Sequence, residues 1–231
     1  MRTHQLEEPN TTISLVVSRY LEAIWYMRAE GETVTNARLA DWLGVSRPTV
    51  TAALRRMARD GLVRTGSREI ALTGDGEARA AAVVRRHRVV ERWLVDSLGL
   101  DWVAADEEAA RLEHAVSETV AEALYEALGR PTSCPHGNPI PGRSEAAAGE
   151  VRLSALAEGG RAEVTRISEV AEREAPPLLR YLQERRLVPR AHLAVTEVDP
   201  IARTLRLKVG DREVTLSHET AGKVWVLPLA S

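Results

Sequence analysis

NARLADWLGVSRPTVTAALRRMARDGLVRTGSREIAL, residues Asn36–Leu72, carries the densest set of local signals in this 231-residue chain. Asn36 is placed to cap a short helix, Ala37–Leu43, and Gly44 to end it. Ser46 caps a second helix whose first turn holds Pro48, where a missing N–H leaves no helix hydrogen bond unmade. Val50, Leu54 and Met57 give that helix one apolar face as far as Asp60, and Gly61 stops it. Leu62–Thr65 and Glu69–Leu72 read as two short strands about a turn at Gly66 and Ser67. Ala40, Leu43, Val45, Val50 and Leu54 supply the apolar contacts that set the two helices at a steep angle. Helix, tight turn, helix and hairpin in this order predict a winged helix-turn-helix.

The charge of the whole chain conceals what its parts would bind. The total is -2, from 31 Lys+Arg against 33 Asp+Glu, which taken alone argues against nucleic acid. Between Thr35 and Ile70, however, seven arginines face three acids, a local excess of +4, and the compensating acid concentrates in Asp106–Glu126. Ser46, Arg47, Pro48, Thr49 and Thr51 open the second helix. Their hydroxyls reach phosphates or base edges, Arg47 matches the edge of guanine, and the helix N-terminus favours a phosphate. Arg55 and Arg56, with Arg64 and Arg68 on the wing, suit phosphate positioning. The alternative is a motif that contacts protein, its arginines on a solvated face; binding to any duplex separates the two.

Outward from this segment, Ile13–Arg28 places Val16, Val17, Tyr20, Leu21, Ile24 and Met27 on one helical face. Gly74–Leu98 and Asp106–Leu128 read as further helices, Gly129–Glu150 as a Gly- and Pro-rich loop and linker. Beyond it, Glu163–Ser168, Leu193–Glu197, Thr204–Val209, Arg212–Leu216 and Lys223–Leu227 are short β-rich runs interrupted by one helix near Pro177–Arg186, which predicts a small barrel-like domain. The expected domains are 1–75, 76–150 and 151–231. A hydrophobic fraction of 44% with 28% charged residues is that of a globular chain. No run of residues is long and apolar enough for a membrane span, and Met1–Asn10 is not signal-like, so no membrane partner is expected. The single Cys134 allows no internal disulfide and fits a reducing, cytoplasmic location.

Metal-ligand side chains gather in the middle of the chain. His87 and Glu91 stand at i, i+4 and share a helix face. Glu113 and His114 are adjacent on a later helix, Cys134 and His136 flank one proline on the loop, and Glu22 lies among the inward apolar residues of the first helix. Such donors suit Fe, Co, Ni or Zn, and the carboxylates and imidazoles also suit Mn. Singly, each has a plainer reading: a surface ion pair, a helix surface, a small buried hydrophobe. Their conjunction points to a metal.

Several strings together carry a resemblance: RYLEAIW at Arg19–Trp25, SRPTV at Ser46–Val50, RMARDGLV at Arg56–Val63, RHR at Arg86–Arg88 with Glu91, LEHAVS at Leu112–Ser117, and CPHGNPIPG at Cys134–Gly142. Over this span the chain resembles the diphtheria toxin repressor and manganese transport regulator family of metal-dependent transcriptional repressors. Its β-rich tail resembles the SH3-like (FeoA-like) third domain of longer members. The resemblance implies a mainly α fold with small β: a winged helix-turn-helix domain, a helical dimerisation and metal-binding domain, and a C-terminal SH3-like β domain. It implies a homodimer that binds Mn(II) or Fe(II), with Zn or Co able to substitute in vitro. It implies, as partner, a palindromic double-stranded DNA operator of metal-uptake genes.

Position by position, the resemblance implies Glu22 as a first-helix ligand. It implies His87, Glu91, Glu113 and His114 as ligands of the helical domain, and Cys134 and His136 as a loop pair used with Glu91. Glu174 matches a third-domain ligand, with Glu172 and Glu169 as alternatives, and Arg88 and Asn138 match an anion pocket. Two positions depart. Arg19 stands where the family has Asp or Met, and Ala110 where it has Cys or Glu. The expectation therefore rests on His87, Glu91, Cys134 and His136. Asp106, Glu107 or Glu108 are candidate substitutes at the thinned site, or Arg19 pairs with Glu22 or Glu113 in place of an ion. The expected function is a metal-dependent repressor, not an enzyme, with no catalytic residues and no small-molecule substrate. The rivals are a relative that binds DNA constitutively, a metalloenzyme, which leaves the winged helix without a use, and a metal-buffering scaffold. Manganese and iron both stay open, since Glu22 leans to manganese and the Cys134 thiolate to softer ions.

Overall fold

Ser14 starts the first helix: its hydroxyl accepts from the Val17 N–H at 3.4 Å, and α1 follows over Leu15–Ala29. Tyr20, Leu21, Ile24 and Met27 are buried along one face, while Leu15 and Val16, at the outset of the helix, stay exposed. The computed structural model describes residues 14–66, 69–170 and 176–230, and the chain divides into two units, Met1–Ala80 and Ala81–Ser231.

In the first unit the cap of α2 (Asn36–Leu43) is Thr35, whose hydroxyl accepts from the Arg38 N–H at 3.1 Å. Asn36, expected as the cap, instead donates its amide to Thr51 Oγ1 at 2.9 Å and so braces one helix against the next. Gly44 closes α2 at φ +65°, a left-handed conformation. Ser46 then caps α3 (Arg47–Arg59). Val50, Leu54 and Met57 on α3 are buried, as are Leu39 and Trp42 on α2, but Val45 is partly exposed. β1 (Val63–Thr65) and β2 (Ile70–Leu72) pair antiparallel with Val63 opposite Leu72. This is the winged helix-turn-helix the local signals predict.

The second unit contains helices and a sheet. The long helix α4 (Gly74–Leu98) leads into α5 (Trp102–Leu112) and α6 (Glu118–Ala127). The helix expected over Asp106–Leu128 is two helices: Asp101 caps α5 by accepting from the N–H groups of Val103 and Ala104, and Ser117 caps α6. Helical periodicity runs on across the break, so only the caps reveal it. Val90 and Leu94 of α4 pack with Ala105 and Ala109 of α5.

Among the described residues six strands follow: β3 (Val151–Arg152), β4 (Arg161–Ile167), β5 (His192–Asp199), β6 (Thr204–Val209), β7 (Arg212–Ser217) and β8 (Val224–Pro228). They form one sheet in the order β3-β8-β4-β5-β6-β7, with every pair antiparallel. Register shifts in β4 and β5 add twist, which lets so short a sheet curl about a core. Helices α7 (Pro176–Glu184) and α8 (His218–Ala221) complete the SH3-like part. Its core includes Leu153, Val164, Leu182, Leu207 and Val226, and also Trp102 from α5, so the helical and β parts share buried apolar surface. Among the described residues no helix is long and apolar enough to cross a membrane.

Candidate metal centre and DNA-reading face

Most of the residues expected to read DNA lie at the surface of the first unit. Ser46, Arg47, Pro48 and Thr49 are exposed at the start of α3, as are Arg55 and Arg56 further along it and Arg64 on the wing. Arg68 lies outside the described residues. The first turn of α3 contains no acid to repel a phosphate. Thr51 is half-buried: its hydroxyl donates to the Arg47 carbonyl at 3.0 Å and accepts from Asn36, so it fixes the helix start. Beside it a groove of about 560 Å³ runs between α2, α3 and the wing, lined by Asn36, Arg47, Arg55 and Thr65 among others.

In the second unit a helix and a loop bring ligand groups together. Glu91 projects from α4, and Cys134 and His136 from a turn closed by two backbone bonds, Cys134 N–H to Asn138 O and Gly137 N–H to Cys134 O. All three side chains are buried, Glu91 at 1%, Cys134 at 2% and His136 at 0% exposure, with ligand atoms within 4.8 Å of one another. His136 Nδ1 stands 2.7 Å from Glu91 Oε1, yet that oxygen has no hydrogen bond of normal geometry among the described residues. A buried carboxylate in this position needs a positive charge. Carboxylate, thiol and imidazole are together a donor set for a borderline divalent ion, so these residues fit one. Trp102 presents a T-shaped contact to the His136 ring, 4.7 Å between centroids, and holds it in place.

His87, one turn before Glu91, does not join that trio. It groups instead with Glu91 and Asp106, with Nε2 3.4 Å from Asp106 Oδ1 and Nδ1 2.7 Å from Glu113 Oε2. His114 Nε2 lies 3.1 Å from the other Glu113 oxygen. Glu22 is buried on α1 in the first unit. Of the proposed third-domain carboxylates, Glu172 and Glu174 lie outside the described residues. Glu169 is bound to Arg88, which donates from Nε at 2.9 Å and also from Nη2. The guanidinium expected to hold an external anion therefore holds a carboxylate of the chain itself and donates to the Pro139 carbonyl as well. Asn138, its expected partner, donates to the Ile167 carbonyl at 3.0 Å. Sequence reasoning did not anticipate Trp102, a plain helix-start aromatic in sequence, and left Asp106 as one of three acids.

Burial alone would depress the His87 pKa, but hydrogen bonds with Asp106 and Glu113 and the charges of Glu113 and Glu91 raise it well above the usual value. Burial works to raise Glu113, and the two histidines outweigh it and lower its carboxyl to about 2. The raised His87 contributes stability below its unfolded value near 6.5, lost as pH rises through the folded value. The depressed Glu113 contributes above about 4.5, lost as pH falls toward 2. Metal-free protein should thus keep both contributions in full between about pH 4.5 and 6.5 and lose the His87 contribution on the alkaline side. Thermal unfolding against pH, in chelator, checks this: His87→Gln should flatten the alkaline fall, and an unchanged slope would refute it.

Comparison with known proteins places the whole chain in one family. The family model "Iron dependent repressor, N-terminal DNA binding domain" matches residues 13–69, "Iron dependent repressor, metal binding and dimerisation domain" residues 73–142, and "FeoA domain" residues 151–228. The chain is 39% identical over 219 residues to the iron-dependent repressor IdeR of Mycobacterium leprae, covering 90% of this chain and 94% of the relative. It is 43% identical over 131 residues to the diphtheria toxin repressor of Corynebacterium diphtheriae, 56% of this chain and 58% of that one. A solved manganese-dependent transcriptional repressor in complex with manganese superposes with a TM-score of 0.83 at 32% identity, covering 92% of this chain and all of that one.

Proposed function

The chain belongs to the iron-dependent repressor family, whose members are DNA-binding repressors and not enzymes, and on that footing we propose that it represses transcription by binding duplex operators as a metal-dependent homodimer. The observation that carries the metal dependence is the buried trio of Glu91, Cys134 and His136, drawn from α4 and a distant loop to within 4.8 Å. A divalent ion there, Mn(II) or Fe(II), supplies the charge that the buried carboxylate needs and ties helix to loop. Trp102 orients His136 from the β-domain core. The Ile167 N–H donates to the His136 carbonyl at 2.9 Å, so the loop is also stitched to β4. We assign DNA reading to residues 1–75, dimerisation and metal binding to 76–150, and docking of the loop to the SH3-like residues 151–231, in a protein acting in the cytoplasm on palindromic operators of metal-uptake genes. Arg19 is exposed on α1, which gives no support to a built-in cation and constitutive binding.

Titrating duplex binding against Mn(II), Fe(II), Zn(II) and Co(II) under reducing conditions, with and without chelator, tests the reading; equal affinity throughout would overturn metal dependence. On the DNA side, Arg47→Ala should cost about 1–3 kcal/mol of specific binding and relax discrimination at one base pair. Arg64→Ala should instead weaken all sequences alike and lower the salt dependence by about one counterion. Fluorescence anisotropy across a salt series distinguishes the two patterns.

A further inference from the structure

Strand β4 carries an extra residue. Val164 pairs with Val226 of β8 and Arg166 with Trp225, so Thr165 bulges between them without a partner on β8. A regular register would set Thr165 opposite Trp225; the bulge sets Arg166 there instead. Trp225 also pairs with Arg152 of β3. Both guanidinium groups lie over its indole, Arg152 at 3.8 Å and Arg166 at 4.2 Å from the ring centroid. Stacking occupies the flat face of a guanidinium and leaves its N–H edge to donate.

That edge of Arg166 is buried and serves two segments. Nε donates to Glu150 Oε1 at 2.8 Å, with Nη2 at the same distance, and Nη1 donates to Asn138 Oδ1 at 3.5 Å. Asn138 in turn donates from Nδ2 to the Ile167 carbonyl at 3.0 Å, so both ends of its amide are held by β4. The backbone carbonyl of the same Asn138 accepts from the Cys134 N–H at 2.9 Å and closes the turn that carries Cys134 and His136. The bulged Thr165 contributes as well, its hydroxyl donating to Glu150 Oε2 at 2.9 Å.

We propose that Arg166 is a positioning residue for metal binding: seated on Trp225 by the bulge, it holds Asn138, and through Asn138 the Cys134–His136 turn, in ligating geometry. The inference rests on the metal-dependent reading above and adds a residue of the SH3-like domain that is not itself a ligand. A role in the fold alone would need only the buried pair with Glu150. Lysine separates the two roles. It keeps a positive charge for Glu150, but as a point donor without a planar fork it cannot serve Glu150 and Asn138 together.

The test uses the full-length chain as wild type, Arg166→Lys, the double variant Arg166→Met with Glu150→Gln, and Arg152→Met. The double variant leaves no buried carboxylate without its counter-charge, and Arg152→Met is the control that loses the other stack on the same indole. Metal-free melting curves verify that each is folded. Co(II) is titrated under reducing conditions and followed at the thiolate-to-metal absorption band, which reports Cys134 directly. Both Arg166 variants should bind Co(II) about 10-fold more weakly or worse, and Arg152→Met should match wild type. In metal-free protein, hydrogen exchange at the Cys134 and Gly137 amides should quicken in the Arg166 variants alone. If Arg166→Lys keeps wild-type affinity and loop protection, or if Arg152→Met loses as much affinity as the Arg166 variants, Arg166 serves the fold only and the proposal is overturned. A wild type without the thiolate band would overturn the metal-dependent reading itself. Metal-free exchange, which needs no ion, keeps that failure separate from a failure of Arg166 to hold the turn.

Discussion

Glu91→Gln is expected to abolish the response of operator binding to metal while leaving the metal-free affinity near its wild-type value. Glutamine keeps the volume of the side chain, so α4 and its packing persist. It removes the negative charge and turns toward His136 an amide that can donate where a carboxylate oxygen stood. Coupling between an effector and a ligand is typically on the order of 5–150-fold in affinity, and in this variant it should fall to about unity. The residues proposed to read DNA belong to the first unit, so duplex binding itself should survive. Anisotropy with a labelled operator, with excess Mn(II) and with chelator, measures both numbers in one titration. A variant that keeps the wild-type ratio would remove Glu91 from the sensing group.

The parts of this molecule that were legible in sequence are those written in local backbone chemistry. Gly44, Ser46 and Pro48 declare the turn and the second helix within five residues, and the structure follows them. The cap of α2 moved by one position because Thr35 and Asn36 are both competent caps. The choice was made by Thr51, a tertiary partner fifteen residues away. The break between α5 and α6 was hidden for a different reason: alanines fit the helical period on both sides, and Ser117 alone marks the new start.

At the candidate centre, residue types were legible and their grouping was not. His87 and Glu91 share a helix face, yet His87 faces Asp106 and Glu113 while Glu91 also meets the loop. Which acid among Asp106, Glu107 and Glu108 approaches His87 depends on how α5 packs on α4, and Asp106 lies next to buried Ala105 and one helical turn before Ala109. Arg88 and Glu169 are separated by 81 residues, and only the docking of the β domain against the loop brings them together. Such pairs are set by packing that no local pattern encodes.

Gly137→Ala is expected to be the most damaging single-methyl change in the second unit. Gly137 sits at φ +89°, and a Cβ there would lie 2.1 Å from the Thr165 carbonyl oxygen and 2.9 Å from Arg166 Cα. Both obstacles are backbone of β4, a central strand paired on both sides, and cannot swing away. The neighbours of Gly137 hold the loop against that strand, through Ile167 N–H to the His136 carbonyl and Asn138 Nδ2 to the Ile167 carbonyl. Strain of about 1–3 kcal/mol for the left-handed backbone therefore adds to about 1–3 kcal/mol of overpacking. Gly149→Ala provides the control. It has a similar φ of +83° but only a van der Waals contact with Leu227 at 3.9 Å, so it should show the backbone strain alone. With about 2–4 °C per kcal/mol for a unit of this size, Gly137→Ala should melt clearly below Gly149→Ala. It should also bind metal more weakly, because Cys134 and His136 share its turn, while metal-free duplex binding persists. Equal melting temperatures in the two variants would mean that the loop does not lie this close to β4, and the route from the proposed metal ligands to the SH3-like domain would then have to run through Trp102 and the Arg88–Glu169 pair instead.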